Sequence, residues 1–100
     1  MNEKLKQLGK AISYEFNVES DFYKERNQSN RYVIPRKVLM YFLYTEEGLG
    51  YKDIGLMLGG YDHTTVLHHV RDIKEWYKTE DWFRRKMDRL FDKMNQIYSK

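Results

Sequence analysis

An aspartate, two threonines and all three histidines of the chain fall within eight residues, Asp62-His63-Thr64-Thr65-Val66-Leu67-His68-His69. Such side chains can bind a metal, relay protons to a nucleophile, or exchange hydrogen bonds with a polar partner. A zinc site in a chain without cysteine needs His63, His68 or His69 and a carboxylate such as Asp72 to converge tetrahedrally. On a helix these positions scatter around the axis, so no metal is expected. Nucleophilic catalysis lacks its context: there is no recognisable Ser/His/Asp or Cys/His grouping, no carboxylate pair in an apolar setting, and no phosphate-cradling loop ending in Lys-Ser/Thr. The chain reads as non-enzymatic, with no cofactor and no nucleotide. The third chemistry fits best. His63, Thr64 and His68 are short or planar groups that donate to and accept from base edges and phosphates.

The flanking residues supply the elements that would present these groups. Gly59-Gly60 lets the backbone reach positive φ, ending one helix and reversing the chain. Asp62 is placed to start the next helix, its carboxylate facing the free N–H groups and the positive end of the helix dipole. Val66, Leu67, Val70, Ile73 and Tyr77 then recur at helical steps, one apolar stripe that needs a core. A helix, a two-glycine turn and a second helix with an exposed polar start make a helix-turn-helix, and that start is what a major groove receives.

The rest of the chain reads as support, all of it helical. Leu5, Leu8, Ala11, Ile12 and Phe16 predict a helix over about 3–16, with Lys4, Lys6 and Lys10 on its other side. A short second helix is expected near Glu19 or Ser20, contributing Phe22 and Tyr23 to the core. Residues 25–34, rich in Asn, Ser and Gln, read as a loop. Pro35 suits the first position of a helix carrying Val38, Leu39, Phe42 and Leu43 to about Thr45, the central strut. Gly48 and Gly50 close it. Tyr51 to Leu58 form the first motif helix, with Ile54, Met57 and Leu58 inward and Gly55 where two helices approach closely. Thr79 is a candidate cap for a last helix over 80–100, whose Phe83, Met87, Leu90, Met94 and Ile97 make a heptad seam widened by Trp82, Phe91 and Tyr98. That seam either packs on the domain's own helices or pairs with a second copy in a homodimer.

One hundred residues suffice for one domain with a modest core. No apolar run reaches transmembrane length and the N-terminal residues lack a signal-peptide core, so a cytoplasmic protein without membrane contact is expected. The formal net charge of +3 is modest for a nucleic-acid binder. Its distribution is informative: residues 24–37 carry five cations and one anion, a net +4. Phosphate contacts are expected there.

The run Gly-Gly-x-Asp-His-Thr-Thr-Val-Leu-His at 59–68, with Pro35-Arg36-Lys37 and Asp53-Ile54-Gly55 upstream, resembles the C-terminal DNA-binding domain of the bacterial chromosomal replication initiator DnaA. The resemblance covers roughly residues 1–78, leaving 79–100 as an added amphipathic helix. It implies an all-α domain of about six helices with a Trp-repressor-like helix-turn-helix, here without an ATPase module. It further implies sequence-specific binding of duplex DNA in replication initiation or its control, or in a phage or mobile-element relative. Carried over by position, it assigns Asp62, His63 and Thr64 to base edges, and Thr65 and His68 to the backbone. The basic loop and first motif helix add Arg31, Arg36, Lys37 and Lys52 as backbone contacts. The sequence departs from the family at Ile34, where an arginine usually enters the minor groove, at Tyr61, usually arginine, and at Lys52, usually proline; His69 replaces a small residue. Arg31 stands where it could substitute for the missing minor-groove arginine. The competing reading is a protein-interaction module that kept the fold and lost DNA binding.

Overall fold

In the computed structural model, residues 2–24 and 28–99 are described. Five α-helices and one 3-10 turn follow in order: α1 Asn2–Phe16, the turn Phe22–Lys24, α2 Asn30–Thr45, α3 Tyr51–Met57, α4 His63–Thr79 and α5 Asp81–Tyr98. There is no strand among the described residues, and no helix there is long and apolar enough to cross a membrane. Glu25, Arg26 and Asn27, part of the expected loop, lie outside the described residues.

α2 is the strut, in contact with α1, the 3-10 turn, α3 and α4. Its Val38, Leu39, Met40, Phe42 and Leu43 are fully buried and join Leu8, Ile12, Phe22, Ile54, Val66, Val70 and Ile73 in one core. Each such side chain contributes roughly 1.5–3 kcal/mol on leaving water. The start of α2 differs from expectation: it begins at Asn30 rather than at Pro35. The Ser29 carbonyl accepts from Tyr32 and Val33, which closes a first turn ahead of the proline. Pro35 therefore sits inside the helix, where the Arg31 carbonyl can receive no bond from it.

Helix ends obey backbone rules more than side-chain capping. α1 stops at Asn17, which takes a left-handed φ of 56°, and Val18 N–H returns to the Ser13 carbonyl. Asp62 occupies the position before α4 as expected, yet its side chain makes no cap bond; Oδ1 lies 3.4 Å from His63 Nδ1. Thr79 does not cap α5. It is the last residue of α4, with its hydroxyl on the Glu75 carbonyl, and Glu80 alone joins the two helices.

The α5 seam is used inside the chain. Phe83, Met87, Leu90 and Met94 are buried, and α5 packs on α1 and α4. Phe83 meets Phe16 and Trp76, while Phe91 meets Phe42 and Tyr77. Lys86 donates to the Glu15 carbonyl, Arg89 pairs with the Glu15 carboxylate at 3.0 Å, and Tyr98 bonds Glu47. Burial dominates here, because an ion pair with one partner as open as Arg89, 56% exposed, is screened by solvent and adds only about 1 kcal/mol. A dimer through this seam would require α5 to leave its own domain.

Across the α2–α4 contact, Lys37 Nζ sits 2.7 Å from Asp72 Oδ2 and over the Trp76 ring, and His69 Nδ1 is 3.3 Å from Met40 Sδ. Burial, then the Lys37 ammonium, pushes the His69 imidazole down from 6.5 to about 4. With its folded value below its unfolded one, the unfolded chain takes the proton first, so stability falls as pH drops from about 6.5 toward 4. Thermal melts over this window should show a steeper loss for wild type than for His69→Gln; parallel losses would mean His69 is not the group responsible.

A second expectation concerns the helix-turn-helix angle. A Cβ on Gly55 would lie 2.0 Å from the Tyr61 carbonyl oxygen, a backbone atom that cannot swing aside. Gly55→Ala should cost several kcal/mol in urea melts. Gly50→Ala, with no neighbour within 4 Å and no positive φ, should cost little. A Gly55→Ala protein as stable as wild type would show that this contact does not constrain the turn.

Candidate nucleic-acid interface

The turn before α4 is built by α3 itself. Gly59 (φ 109°) and Gly60 (φ 90°) take conformations that a side chain would strain. Gly60 N–H and Tyr61 N–H both donate to the Gly55 carbonyl, at 2.8 and 2.9 Å, and Gly59 N–H reaches the Leu56 carbonyl. These bonds occupy the last carbonyls of α3 and fix where α4 begins. Gly55 admits a close approach as expected, but the partner is the turn backbone rather than a second helix.

α4 buries Val66, Val70 and Ile73 on one side. At its head Asp62 and His63 are exposed, with two thirds of each side chain open to solvent. Thr64, His68, Arg71 and Glu75 are exposed and follow at steps of four, three and four, so they form one row along the helix. Thr65 is half-buried beside that row, and His69 is half-buried against Met40. The structure thus brings Asp62, His63, Thr64 and His68 onto one open surface. His69 is turned from it. Among the described residues no group of three His, Cys, Asp or Glu could hold a metal ion.

The expected basic loop is different. Because residues 30–37 are helix, successive side chains rotate around an axis and part of the set faces inward. Arg36 is 4% exposed, so the expectation that it touches phosphate is corrected: its guanidinium is inside the domain. Lys37 is corrected likewise, its side chain 14% exposed and its ammonium bound to Asp72. Arg31 remains outside, 57% exposed, donating to the Asn17 carbonyl and 3.9 Å from Glu19. An exposed pair that long is cheap to exchange for another anion. Ile34 is half-buried against the core.

Tyr61 and Lys52 diverge. The Tyr61 ring packs on the core rather than standing on the open face, whereas Lys52 is exposed in the first turn of α3. Beside Lys52, Tyr51 stacks on Tyr44 with ring centres 4.8 Å apart, and Lys74 lies over Tyr44. Met57, expected inward, is 36% exposed, and Leu56 is 65% exposed. The residue that the sequence reading passed over is Arg71. It sits two turns beyond Thr64 in the same row, and counting seven residues on from Thr64 would have found it.

A model of the bacterial DnaA protein helix-turn-helix matches residues 5–73, from α1 through most of α4. Among curated relatives, the chromosomal replication initiator protein DnaA of Chloroflexus aggregans is 38% identical over 73 residues, covering 73% of this chain and 15% of that protein. The DnaA of Thermomicrobium roseum is 46% identical over 52 residues, covering 52% of this chain and 11% of the relative. That of Oenococcus oeni is 27% identical over 92 residues, covering 92% and 20%. The chain thus corresponds to a fifth or less of the length of these relatives; the family model ends within α4, whereas the alignment with the Oenococcus oeni protein, covering 92% of the chain, reaches into α5. On the match over more than half its length, the chain belongs to the bacterial DnaA helix-turn-helix family.

Proposed function

We propose that this domain binds duplex DNA sequence-specifically, with the head of α4 in the major groove, and acts in replication initiation or its control. It is read as a cytoplasmic DNA-binding module without catalysis of its own. The observation that carries the proposal is the open row headed by Asp62, His63 and Thr64 on a helix whose opposite side is core. Groups on such a row can reach base edges without disturbing packing. Asp62, His63 and Thr64 are assigned to bases, the Thr64 methyl being able to meet a thymine methyl. Thr65, His68, Arg71, Lys52 and Arg31 are assigned to the backbone. Arg36 and Lys37 keep the domain together instead.

The test uses a duplex selected from a randomised pool, titrated against a scrambled duplex at equal salt. One base contact carries about 1–3 kcal/mol of discrimination, so His63→Ala and Thr64→Ala should each weaken selected-site binding roughly ten- to a hundredfold and hardly alter random binding. Both side chains are outside the core, so melts should stay near wild type. An unchanged affinity ratio in the folded double variant would show that α4 does not read sequence. Absence of any salt-dependent binding by wild type would favour the interaction-module reading.

A further inference from the structure

Beside the turn lies a second feature with the chemistry of a phosphate site. A cleft of about 500 Å³ opens between α1, the 3-10 turn and the end of α3, with Gly59 on its border. Among the described residues its charged lining groups are Lys6 and Lys24, and no carboxylate of theirs lines it. Both lysines are exposed, and neither has an ion pair among the described residues. Several other cations are committed: Lys37 to Asp72, Lys4 to the Ile97 carbonyl, Lys86 to the Glu15 carbonyl and Arg89 to its carboxylate. The walls between the ammonium groups are Leu5, Tyr23 and Met57, apolar surface along which lysine stems can lie.

We propose that Lys6 and Lys24 hold the phosphates of the DNA strand bordering the groove that α4 enters. This rests on the DNA-binding reading above and extends the contact to α1. The reach is suitable. Gly59 is four residues from His63, so at most about 14 Å of chain separates the cleft border from the head of α4. A major groove is about 12 Å wide and walled by phosphates. A cationic cleft at that distance from a residue on the groove floor meets one of those walls. A phosphate strand also suits a cleft whose described lining holds two cations and no anion.

The experiment measures the affinity of the full chain for the selected and the scrambled duplex over a series of salt concentrations. Variants are Lys6→Ala, Lys24→Ala, the double variant, and Lys10→Ala as a control for net charge. Lys10 is exposed on the same helix but lines the α1–α5 groove instead. Each lysine removed from the cleft should lower the slope of log K against log salt by about 0.9, equally for both duplexes. Lys10→Ala should keep the wild-type slope, and all variants should keep the affinity ratio. A wild-type slope in the double variant, or an equal drop in Lys10→Ala, would overturn the cleft assignment. The base-reading role of α4 is judged separately, by the affinity ratio of the His63 and Thr64 variants.

Discussion

The geometry of this domain turns on the contact between Gly55 and the backbone of residues 60 and 61. The Gly55 carbonyl accepts two N–H groups of the turn while its Cα lies against the Tyr61 carbonyl. No other residue type supplies both the exposed acceptor and the missing Cβ. Once α3 ends this way, α4 can leave in one direction only. Its Val66, Val70 and Ile73 then fall into the core formed by α2, and the polar head falls outside. The exposure of that polar head follows from a backbone constraint made two turns earlier.

Charge is the second organising theme. A formal count places the cationic excess at residues 24–37, but a formal charge is available to a ligand only if its side chain is outside and uncommitted. Within α2, Arg36 faces inward and Lys37 is set against Asp72. Lys37 then works on the α2–α4 packing that holds α4 in place. The electrostatic surface is instead assembled from separate elements: Arg31 on α2, Lys52 on α3, Arg71 on α4, and Lys6 and Lys24 around the cleft.

α5 lies beyond the residues of the family model and adds burial more than charge. Its four buried seam residues and the Phe91 and Phe83 ring contacts cover α1 and α4 on the side away from the open row. The apolar stripe of α4 extends to Ile73 and Tyr77, beyond what α2 and α3 alone could enclose in so small a domain. This cover keeps the long α4 from presenting apolar surface at its C-terminal half.

Periodicity and punctuation made much of the fold legible: the α1 stripe, the strut, the Gly59-Gly60 turn, the α4 face and the α5 seam all repeat at helical steps, because burial demands one apolar side per helix. The exposed polar head of α4 was legible for the same reason, since Asp62, His63 and Thr64 precede the stripe. Inward or outward placement outside the stripes was decided by the tertiary structure. Polar composition suggested a loop up to Pro35, yet the helix already begins at Asn30, and within it Arg36 is buried and Lys37 is largely covered. Asp62 and Thr79 were plausible caps by type, but the Asp62 side chain makes no cap bond and Thr79 ends α4, its hydroxyl on the Glu75 carbonyl. Gly55 could be recognised as a place of close approach; that the approaching group is the Tyr61 carbonyl follows only from how the two motif helices meet. Local sequence determines which faces must be buried, because that depends on residue type and helical period, whereas partners across the core depend on how those faces are docked, which no local pattern contains.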